Sequence, residues 1–501
     1  MEDDPQGGAQ AQAAELNPSP ARQAATTRLF LRLLGLVYIT AFASLALQVE
    51  GLVGSRGIVP ASEFLSWARS QTGAERYWLV PTLFWLDASD AALLLVSWGG
   101  VALAALLACG IAPAAVLALL WACYLSLVSV GNVFLGYQWD ALLLETGFLA
   151  IFVAPLGSRL RAGQEPPWIS LWLLRWLLFR LTFASGVVKL ASGDPTWRSL
   201  SALLVHYETQ PLPSWVGWYA HQLPAWFQRL SCGVMFAIEL LVPWLVFGPR
   251  RARLAAFFPL VALQVLIALT GNYAFFNLLT LTLCVLLLDD AALPWRRAPE
   301  TASARPWSRF LLVPMAVVVG LLSLAIFTSS CGLELPWPRV VALLYRAVAP
   351  FRSINGYGLF AVMTTSRPEI VVEGSDDGAS WKAYGFREKP GDLARAPAFV
   401  APHQPRLDWQ MWFAALGRCE QTPWFERFLE RLREGSPPVL GLLATNPFPD
   451  HPPRYTRALA FDYRFTDSNA RRDTGAWWRR ESKGPYCRES QESDELPPSL
   501  D

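Results

Sequence analysis

The segment His206–Pro211 (HYETQP) places a histidine, a carboxylate and an amide together in a chain otherwise rich in Leu, Ala, Val and Trp. On an extended segment, His206 and Glu208 would point to the same side, because side chains alternate along such a backbone. They could then form a general-base pair, or supply two of the three protein ligands of a catalytic zinc with His221 as the third. The alternative is a polar loop that caps helices and bonds backbone groups. We favour this packing or recognition role because the spacing fixes no third ligand.

Five further charged residues lie inside apolar stretches. Arg175, Arg180 and Lys189 share one stretch, Glu145 precedes it and Glu239 follows it. A charge at the bilayer centre costs about 2.5–3.5 kcal/mol, so each group should face a partner or a water-filled cavity. Either arginine with either glutamate would form a buried ion pair that fixes helix register. The alternative is a polar cavity for an acidic or quinone-like ligand. Lys189 lies near a helix end, where its amine could reach the membrane surface.

A third group, Arg406, Asp408 and Trp409, opens a helical pattern near the C-terminus. Asp408 could cap this helix or pair with Arg406, and a role as a catalytic acid is the weaker interpretation. The sequence contains no G-x-S-x-G, P-loop, G-x-G-x-x-G or H-E-x-x-H motif. The residues therefore assign no catalytic group, metal or cofactor.

Composition indicates a membrane protein. Hydrophobic residues make up 53% of the 501 residues and charged residues only 16%, against about 25% charged in a typical soluble domain. The mean hydropathy of +0.29 agrees. A net charge of +2 gives no indication of a nucleic-acid partner. The seven cysteines show no C-x-x-C spacing, so neither a zinc site nor a disulfide framework is expected, although one bridge among the last three stays open.

Apolar runs predict about nine membrane-spanning helices, since a span needs roughly 20 residues. The fourth run is short and could be tilted or re-entrant. The predicted spans are Leu29–Val49, Ala91–Cys109, Ile111–Gly131, Ala141–Pro155, Trp168–Leu190, Leu230–Phe247, Leu254–Gly271, Asn272–Leu288 and Phe310–Thr328.

Arginine placement predicts the orientation of these spans. With nine alternating spans, four arginine clusters fall on one side, which is the cytoplasm. The N-terminus is then cytoplasmic, and both the loop at 190–228 and everything after Ser329 face the other side. The clusters are Arg22, Arg28 and Arg32; Arg159 and Arg161; Arg250, Arg251 and Arg253; and Arg296, Arg297, Arg305 and Arg309.

The residues after Ser329 are more polar and predict a small α+β domain. Glu369–Glu373, Trp381–Arg387 and the segment FDYRFTD read as strands, and two helices lie between them. The predicted organisation is a disordered tail at 1–28, a transmembrane helical domain at 29–328, a non-cytoplasmic α+β domain at 329–487 and a C-terminal tail at 488–501.

Five motifs, in this order along the chain, resemble the lipase maturation factor family. Together they extend from about Leu29 to Tyr486. The motifs are LLLETGFLAIFVAPL (Leu142–Leu156), WRSLSALLVHYETQPLP (Trp197–Pro213), TGNYAFFNLLTL (Thr270–Leu281), RLDWQMWFAAL (Arg406–Leu416) and NPFPDHPPRYTR (Asn446–Arg457).

The resemblance implies a multi-pass membrane protein that helps secreted lipases fold and assemble, acting as a chaperone-like factor rather than an enzyme. It implies an endoplasmic reticulum membrane location, or the bacterial inner membrane for a prokaryotic source. Its expected partners are the bilayer and a secreted lipase or other exported client. Residues matching the family's two signatures are candidates for client or partner binding: Trp197, His206, Tyr207, Glu208, Thr209, Gln210, Pro211, Arg406, Asp408 and Trp409.

The leading hypothesis is therefore a maturation factor for secreted lipases or related exported proteins. The alternative is a membrane enzyme, quinone-linked or similar to vitamin-K-dependent carboxylase. That alternative rests on the charged residues within the spans together with His206 and Glu208.

Overall fold

A computed structural model describes residues 22–160, 163–294 and 307–487 of the chain. Most of the two predicted tails, together with Arg161, Arg296, Arg297 and Arg305, lie outside the described residues. The helices are α1 Ala24–Ala46, α2 Ala61–Thr72, α3 Asp90–Cys109, α4 Pro113–Val130, α5 Gln138–Val153, α6 Trp168–Ala191, α7 Leu203–Thr209, α8 Trp215–His221, α9 Ala225–Leu240, α10 Arg250–Thr270, α11 Phe276–Cys284, α12 Arg309–Ser330, α13 Arg339–Val348, α14 Arg406–Ala415, α15 Pro423–Arg433 and α16 Ser468–Thr474. The strands are β1 Arg367–Ser375, β2 Lys382–Ala383, β3 Tyr455–Phe465 and β4 Trp478–Pro485.

Within the described residues, seven helices are long and apolar enough to cross a membrane: α1, α3, α4, α6, α9 with its 3-10 extension to Phe247, α10 and α12. The other two predicted spans correspond to shorter helices. Helix α5 has 16 residues, and α11 has 9 before a short 3-10 turn. Seven of the nine predicted spans therefore correspond to helices long enough to cross a membrane, and the other two correspond to shorter helices.

The first helix begins at Ala24, earlier than the predicted Leu29, so residues 24–28 are helical rather than part of a disordered tail. Distant carboxylates hold this helix start. Asp290 accepts hydrogen bonds from the backbone N–H groups of Ala25 and Thr26, and Glu165 accepts one from that of Gln23. Because these acceptors are far away in the sequence, local pattern could not locate the boundary.

Outward-facing helices expose apolar surface. Only 17% of the most apolar stretch of α10 is buried inside the protein, and 22% of that of α12, against 67% for α6. Large side chains such as Leu241, Phe258 and Phe310 are more than half exposed. Soluble proteins rarely expose apolar surface on this scale, so these faces fit contact with lipid.

Connections between the helices gather at two ends of the bundle. At the end where α1 begins, one cavity is lined by the start of α1, the end of α5 and the starts of α6 and α12. Arg250 and Asp289 join the start of α10 to the segment after α11 there. At the opposite end, the segments around Leu212 and Asn272 pair with each other, and the C-terminal unit packs there. Helices α5 and α11 each run from this second end to the first.

The C-terminal unit is built on a four-stranded antiparallel sheet of order β2-β1-β3-β4. Helix α14 packs on β1 and α15 packs against β3. The predicted strand Glu369–Glu373 lies inside β1, and FDYRFTD overlaps β3. The predicted strand Trp381–Arg387 is mostly wrong, because only Lys382–Ala383 pairs with β1 before Gly385 turns to pair with Thr445. Strand β4 was not predicted. A disulfide between Cys419 and Cys487 ties the α14–α15 connection to the chain after β4.

Candidate functional site

The HYETQP segment forms the end of helix α7 and the turn that follows it. The expected extended backbone is therefore wrong at His206 and Glu208. Two helical positions differ by about 200° around the axis, so the two side chains leave on different faces. His206 contacts the hydroxyl of Tyr273 at 3.2 Å, whereas Glu208 lies 3.8 Å from His221. The segment does not hold His206 and Glu208 as a pair, and neither group has the geometry of a shared metal site.

Arg367, the first residue of β1, binds the carboxyl end of α7 through its guanidinium. Its guanidinium donates to the backbone carbonyls of Glu208 and Pro211 at 2.8 Å each and also to that of Gln210. A cation suits this position, because the last carbonyls of a helix carry partial negative charge and lack partners within the helix. The sequence did not single out Arg367, since nothing around it distinguishes it from a surface arginine.

The carboxylate of Glu369 lies between two buried cations, Arg367 and Lys389. Glu369, two residues along β1, accepts from Arg367 at 2.8 Å and from the amine of Lys389 at 2.8 Å. All three side chains are at most 3% exposed. Burial lowers the pKa of Arg367, and the Glu369 carboxylate opposes that effect. A guanidinium buried in this way depends on these fixed partners, because water is not available to replace a partner that is lost.

Two more elements of the C-terminal unit reach the same segment. The Glu208 carboxylate accepts from the backbone N–H of Phe465 at 2.9 Å. The indole of Trp412 donates to the carbonyl of Thr209 at 2.9 Å. Glu208 and Thr209 are consequently buried. The segment is therefore held from strands β1 and β3 and from helix α14 at once.

Its other side is bound to the helical bundle. The amide of Gln210 donates to the carbonyl of Thr270 at 2.7 Å and accepts from the Tyr273 hydroxyl at 2.8 Å. Burial, reinforced by repulsion from Lys189, lowers the pKa of His206 to about 4, so His206 is neutral near pH 7. Pro211 is buried and Tyr207 is half-buried. HYETQP thus lies between the bundle and the C-terminal unit.

A second buried contact joins the same two parts. Arg406, at the start of α14, forms a bidentate pair with Asp140 of α5, at 2.8 and 3.0 Å. The hydroxyl of Tyr124 donates to Asp140 at 2.5 Å, and Arg406 also donates to the carbonyl of Phe134 at 2.6 Å. Burial disfavours the charged form of Arg406, but the Asp140 carboxylate outweighs it and raises the pKa of Arg406 above its usual range.

Asp408 neither pairs with Arg406 nor caps helix α14, so both of its expected roles are wrong. Its carboxylate accepts from the backbone N–H groups of Glu388 and Lys389 at 2.8 Å each. Burial raises the pKa of Asp408, and those two hydrogen bonds oppose the rise. Trp409 is only 3% exposed and packs edge-on against Trp139 at a centroid distance of 4.8 Å. Both residues are therefore buried near the start of α14, where the C-terminal unit meets the bundle.

Charges within the bundle are also paired. Arg180 of α6 pairs with Glu145 of α5, which is one of the combinations the sequence suggested. The same glutamate accepts from the Tyr357 hydroxyl at 2.8 Å and the backbone N–H of Asn355 at 2.9 Å. The chain between α13 and β1 is therefore anchored to two helices.

Lys189 donates to both oxygens of Glu239 at 2.8 and 3.0 Å, so the expectation that its amine reaches the membrane surface is wrong. Arg175 pairs with neither glutamate and instead donates to the carbonyl of Leu286 at 3.0 Å. Trp197 is 2% exposed and donates to the carbonyl of Phe360 at 2.9 Å. Of the three basic residues in this span, Arg180 and Lys189 thus form buried ion pairs, whereas Arg175 bonds a backbone carbonyl.

We call the combined contact of HYETQP with Arg367 and of Asp140 with Arg406 the joint. Sequence reasoning found HYETQP and Arg406 but missed Arg367 and Asp140. Across the described ranges, no group of three or more His, Cys, Asp or Glu side chains could hold a metal ion. The geometry of the joint is that of a rigid connection made by charge and hydrogen bonds.

The fold and joint define a class: a helical membrane protein whose C-terminal β-sheet unit is locked onto one end of the bundle. The chain belongs to the lipase maturation factor family. Residues 25–295 match the description "Lipase maturation factor transmembrane domain", and residues 353–488 match "Lipase maturation factor C-terminal domain". The family resemblance of the sequence is thereby confirmed.

Curated relatives agree along almost the whole chain. Lipase maturation factor 2 of Homo sapiens is 38% identical, with 91% of this chain and 81% of the relative covered. The Gallus gallus protein of that name is 39% identical, covering 90% and 79%. Lipase maturation factor 1 of Bos taurus is 34% identical, covering 95% and 91%. No solved structure matches the chain. These names describe maturation factors, and the membrane-enzyme alternative receives no support from them.

The Asp140–Arg406 pair predicts a large loss of stability in Arg406→Leu, because Asp140 would be left buried and uncompensated. Breaking a buried pair in this way costs about 3–5 kcal/mol. The matched control is Arg427→Leu, which breaks an exposed pair with Glu63 that also joins the two parts. That change should cost about 1 kcal/mol or less. Thermal unfolding of both purified variants provides the comparison, and equal losses would contradict the joint.

The hydrogen bond from the Phe465 N–H to Glu208 predicts different effects on stability for two substitutions of Glu208. Glu208→Gln keeps an oxygen that accepts from the Phe465 N–H, so fold and function should persist. Glu208→Ala leaves that buried donor unpaired, at a cost of about 1–3 kcal/mol. Cellular abundance and thermal stability measure the effect. Loss of function in both variants at normal abundance would instead indicate that Glu208 acts as a chemical group.

Proposed function

We propose that this protein is a membrane-embedded, chaperone-like factor that assists the folding and assembly of secreted lipases or related exported proteins. The observation that carries the proposal is its similarity, over most of its length, to relatives named lipase maturation factors. The joint supports it physically, since a factor that handles clients needs a fixed platform at the membrane surface.

We infer nine crossings, with the N-terminus in the cytoplasm and the C-terminal unit in the lumen or periplasm. The course of the two short helices supports this count. Backbone hydrogen bonds join Ala112 to Ser158 and Gly110 to Leu160, so α5 returns the chain to the level at which α4 began. The ion pair between Arg250 and Asp289 likewise indicates that α11 returns the chain to the level at which α10 began.

Two further observations support the sidedness. Arg28 near the start of α1 and Arg250 at the start of α10 lie at the end of the bundle opposite the C-terminal unit, as cytoplasmic arginines would. The Cys419–Cys487 disulfide belongs to the C-terminal unit, and disulfides persist in oxidising compartments. We therefore assign the protein to the endoplasmic reticulum membrane, or to the inner membrane if the source is prokaryotic.

Client contact is proposed for an exposed aromatic surface beside the joint rather than for the buried signature residues. Trp215, Tyr219 and Phe399 are each 44–49% exposed. Trp215 packs edge-on against Phe399 at 5.5 Å, so the loop and the C-terminal unit share this surface. Arg471 adds a cation over the ring of Trp477 at 3.6 Å. Trp, Tyr and Arg are the residues most enriched where proteins bind one another. On this proposal, Glu208, Arg406 and their neighbours position the surface.

Nine crossings predict that reporter fusions truncated after Gly136 and after Glu165 lie on opposite sides, because only α5 separates them. Fusions after Pro224 and after Pro249 should likewise differ, across α9. Paired reporters, one active outside and one active in the cytoplasm, give the measurement. Identical sidedness for the Gly136 and Glu165 fusions would reduce the count and contradict the proposed orientation of the loop.

The maturation role predicts that cells lacking this protein secrete less active lipase at an unchanged lipase transcript level. A secreted non-lipase reporter serves as the control and should be unaffected. Restoring the wild-type chain or Arg427→Leu should recover lipase activity, whereas the double variant Trp215→Ala with Tyr219→Ala should fail at normal abundance. Unchanged lipase activity in the deletion would refute the role.

A further inference from the structure

A cavity of about 420 Å³ lies within the bundle, directly beneath helix α7. Helices α6, α9, α10 and α11 form its walls. The volume lies in the range of small-molecule sites, which are mostly apolar with a few polar groups. The walls here fit that description, since they are chiefly side chains such as Leu181, Met235, Leu263, Ile267 and Phe276.

The cavity reaches an apolar outer face of the bundle, which fits contact with lipid. Leu223, Phe227 and Leu266 line it and are also 42%, 40% and 60% exposed on the outer surface of the bundle. Leu223 lies just before α9, Phe227 lies in its first turn, and Leu266 lies near the end of α10. The mouth is therefore at the joint end of these two helices. An amphiphile in the adjacent leaflet could enter without crossing water.

The charges that line the cavity are already neutralised. The amine of Lys189 donates to both carboxylate oxygens of Glu239 and to the carbonyl of Ser185 at 3.0 Å. All of its three donors are thus used. His206 also lines the cavity and is neutral near pH 7. The site offers no unbalanced charge to an ionised head group, and such a head group would lose its hydration without compensation.

Neutral polar groups in the lining lack partners. The hydroxyls of Tyr207 and Ser231 have no hydrogen-bond partner in the described part of the chain, nor does the amide N–H₂ of Gln264, whose oxygen accepts from Asn277 at 2.9 Å. Tyr207 lines the cavity and also packs against the buried cluster of Trp218, Tyr463, Phe465 and Trp478. By contrast, the Thr182 and Ser185 hydroxyls donate to their own helix.

We propose that this cavity binds an uncharged, single-chain lipid whose hydroxyl or ester head group bonds Tyr207 and Gln264 while its acyl chain lies between α9 and α10. Because Tyr207 is part of the segment that Arg367 grips, the bound lipid would lie directly against the joint. This site does not depend on the proposed client role, and its test involves no lipase.

The test uses the full-length protein in phosphatidylcholine nanodiscs with radiolabelled monooleoylglycerol. We expect saturable binding of one molecule per chain, and weaker binding of oleate, which carries the same chain with a charged head. Tyr207→Phe should lower the affinity for monooleoylglycerol about fivefold, the effect of one neutral hydrogen bond. It should leave the unfolding temperature of the unliganded protein unchanged, because the hydroxyl has no protein partner. Tyr345→Phe, on exposed helix α13, is the matched control.

Three results would overturn the proposal: no saturable binding, oleate binding as tightly as monooleoylglycerol, or unchanged affinity in Tyr207→Phe. If Tyr207→Phe fails to fold, the mouth variant Leu266→Trp replaces it, with Leu269→Trp as its control. Leu269 is 44% exposed on the same helix and does not line the cavity. Equal binding by these two variants would likewise count against the site.

Discussion

Two buried arginines of the C-terminal unit depend on partners that lie outside it. The guanidinium of Arg367 depends on carbonyl oxygens at the end of α7, and that of Arg406 depends on a carboxylate in α5. A buried guanidinium that loses partners is strongly unfavourable, so separating the unit from the bundle would deprive Arg406 of its carboxylate and Arg367 of its carbonyl contacts. The polar groups around the two arginines serve these contacts. Glu369 and Lys389 balance Arg367, and Tyr124 orients Asp140.

The position of the HYETQP segment between the bundle and the sheet explains its polar composition. Each side chain has a different neighbour to satisfy: Glu208 the end of β3, Gln210 the end of α10, and His206 a tyrosine before α11. A purely apolar segment could pack between bundle and sheet but could not bond the backbone groups that end there. The polar residues are therefore explained by their position between two parts, without catalysis.

Composition predicted the long helices well, because contact with lipid requires runs of apolar residues whatever the partners are. The spacing of apolar residues predicted α14, α15 and parts of β1 and β3, because burial on one face imposes a periodic pattern. It could not predict the joint. Arg406 and Asp140 are separated by 266 positions, and nothing in the local sequence of either indicates the other. Helix α7 was missed because its seven residues are too short for a periodic signal, and its conformation is held by tertiary contacts.

The distance between Asp140 and Arg406 along the chain has a consequence for biogenesis. The ribosome delivers α5 to the membrane long before α14 has been made, so Asp140 must wait near the bilayer surface without its cation. The same holds for the end of α7, which precedes β1 by well over a hundred residues. The newly inserted bundle is thus incomplete until β1 and α14 have been translated. Quality-control machinery could distinguish a truncated product from the finished protein by these stranded polar groups alone.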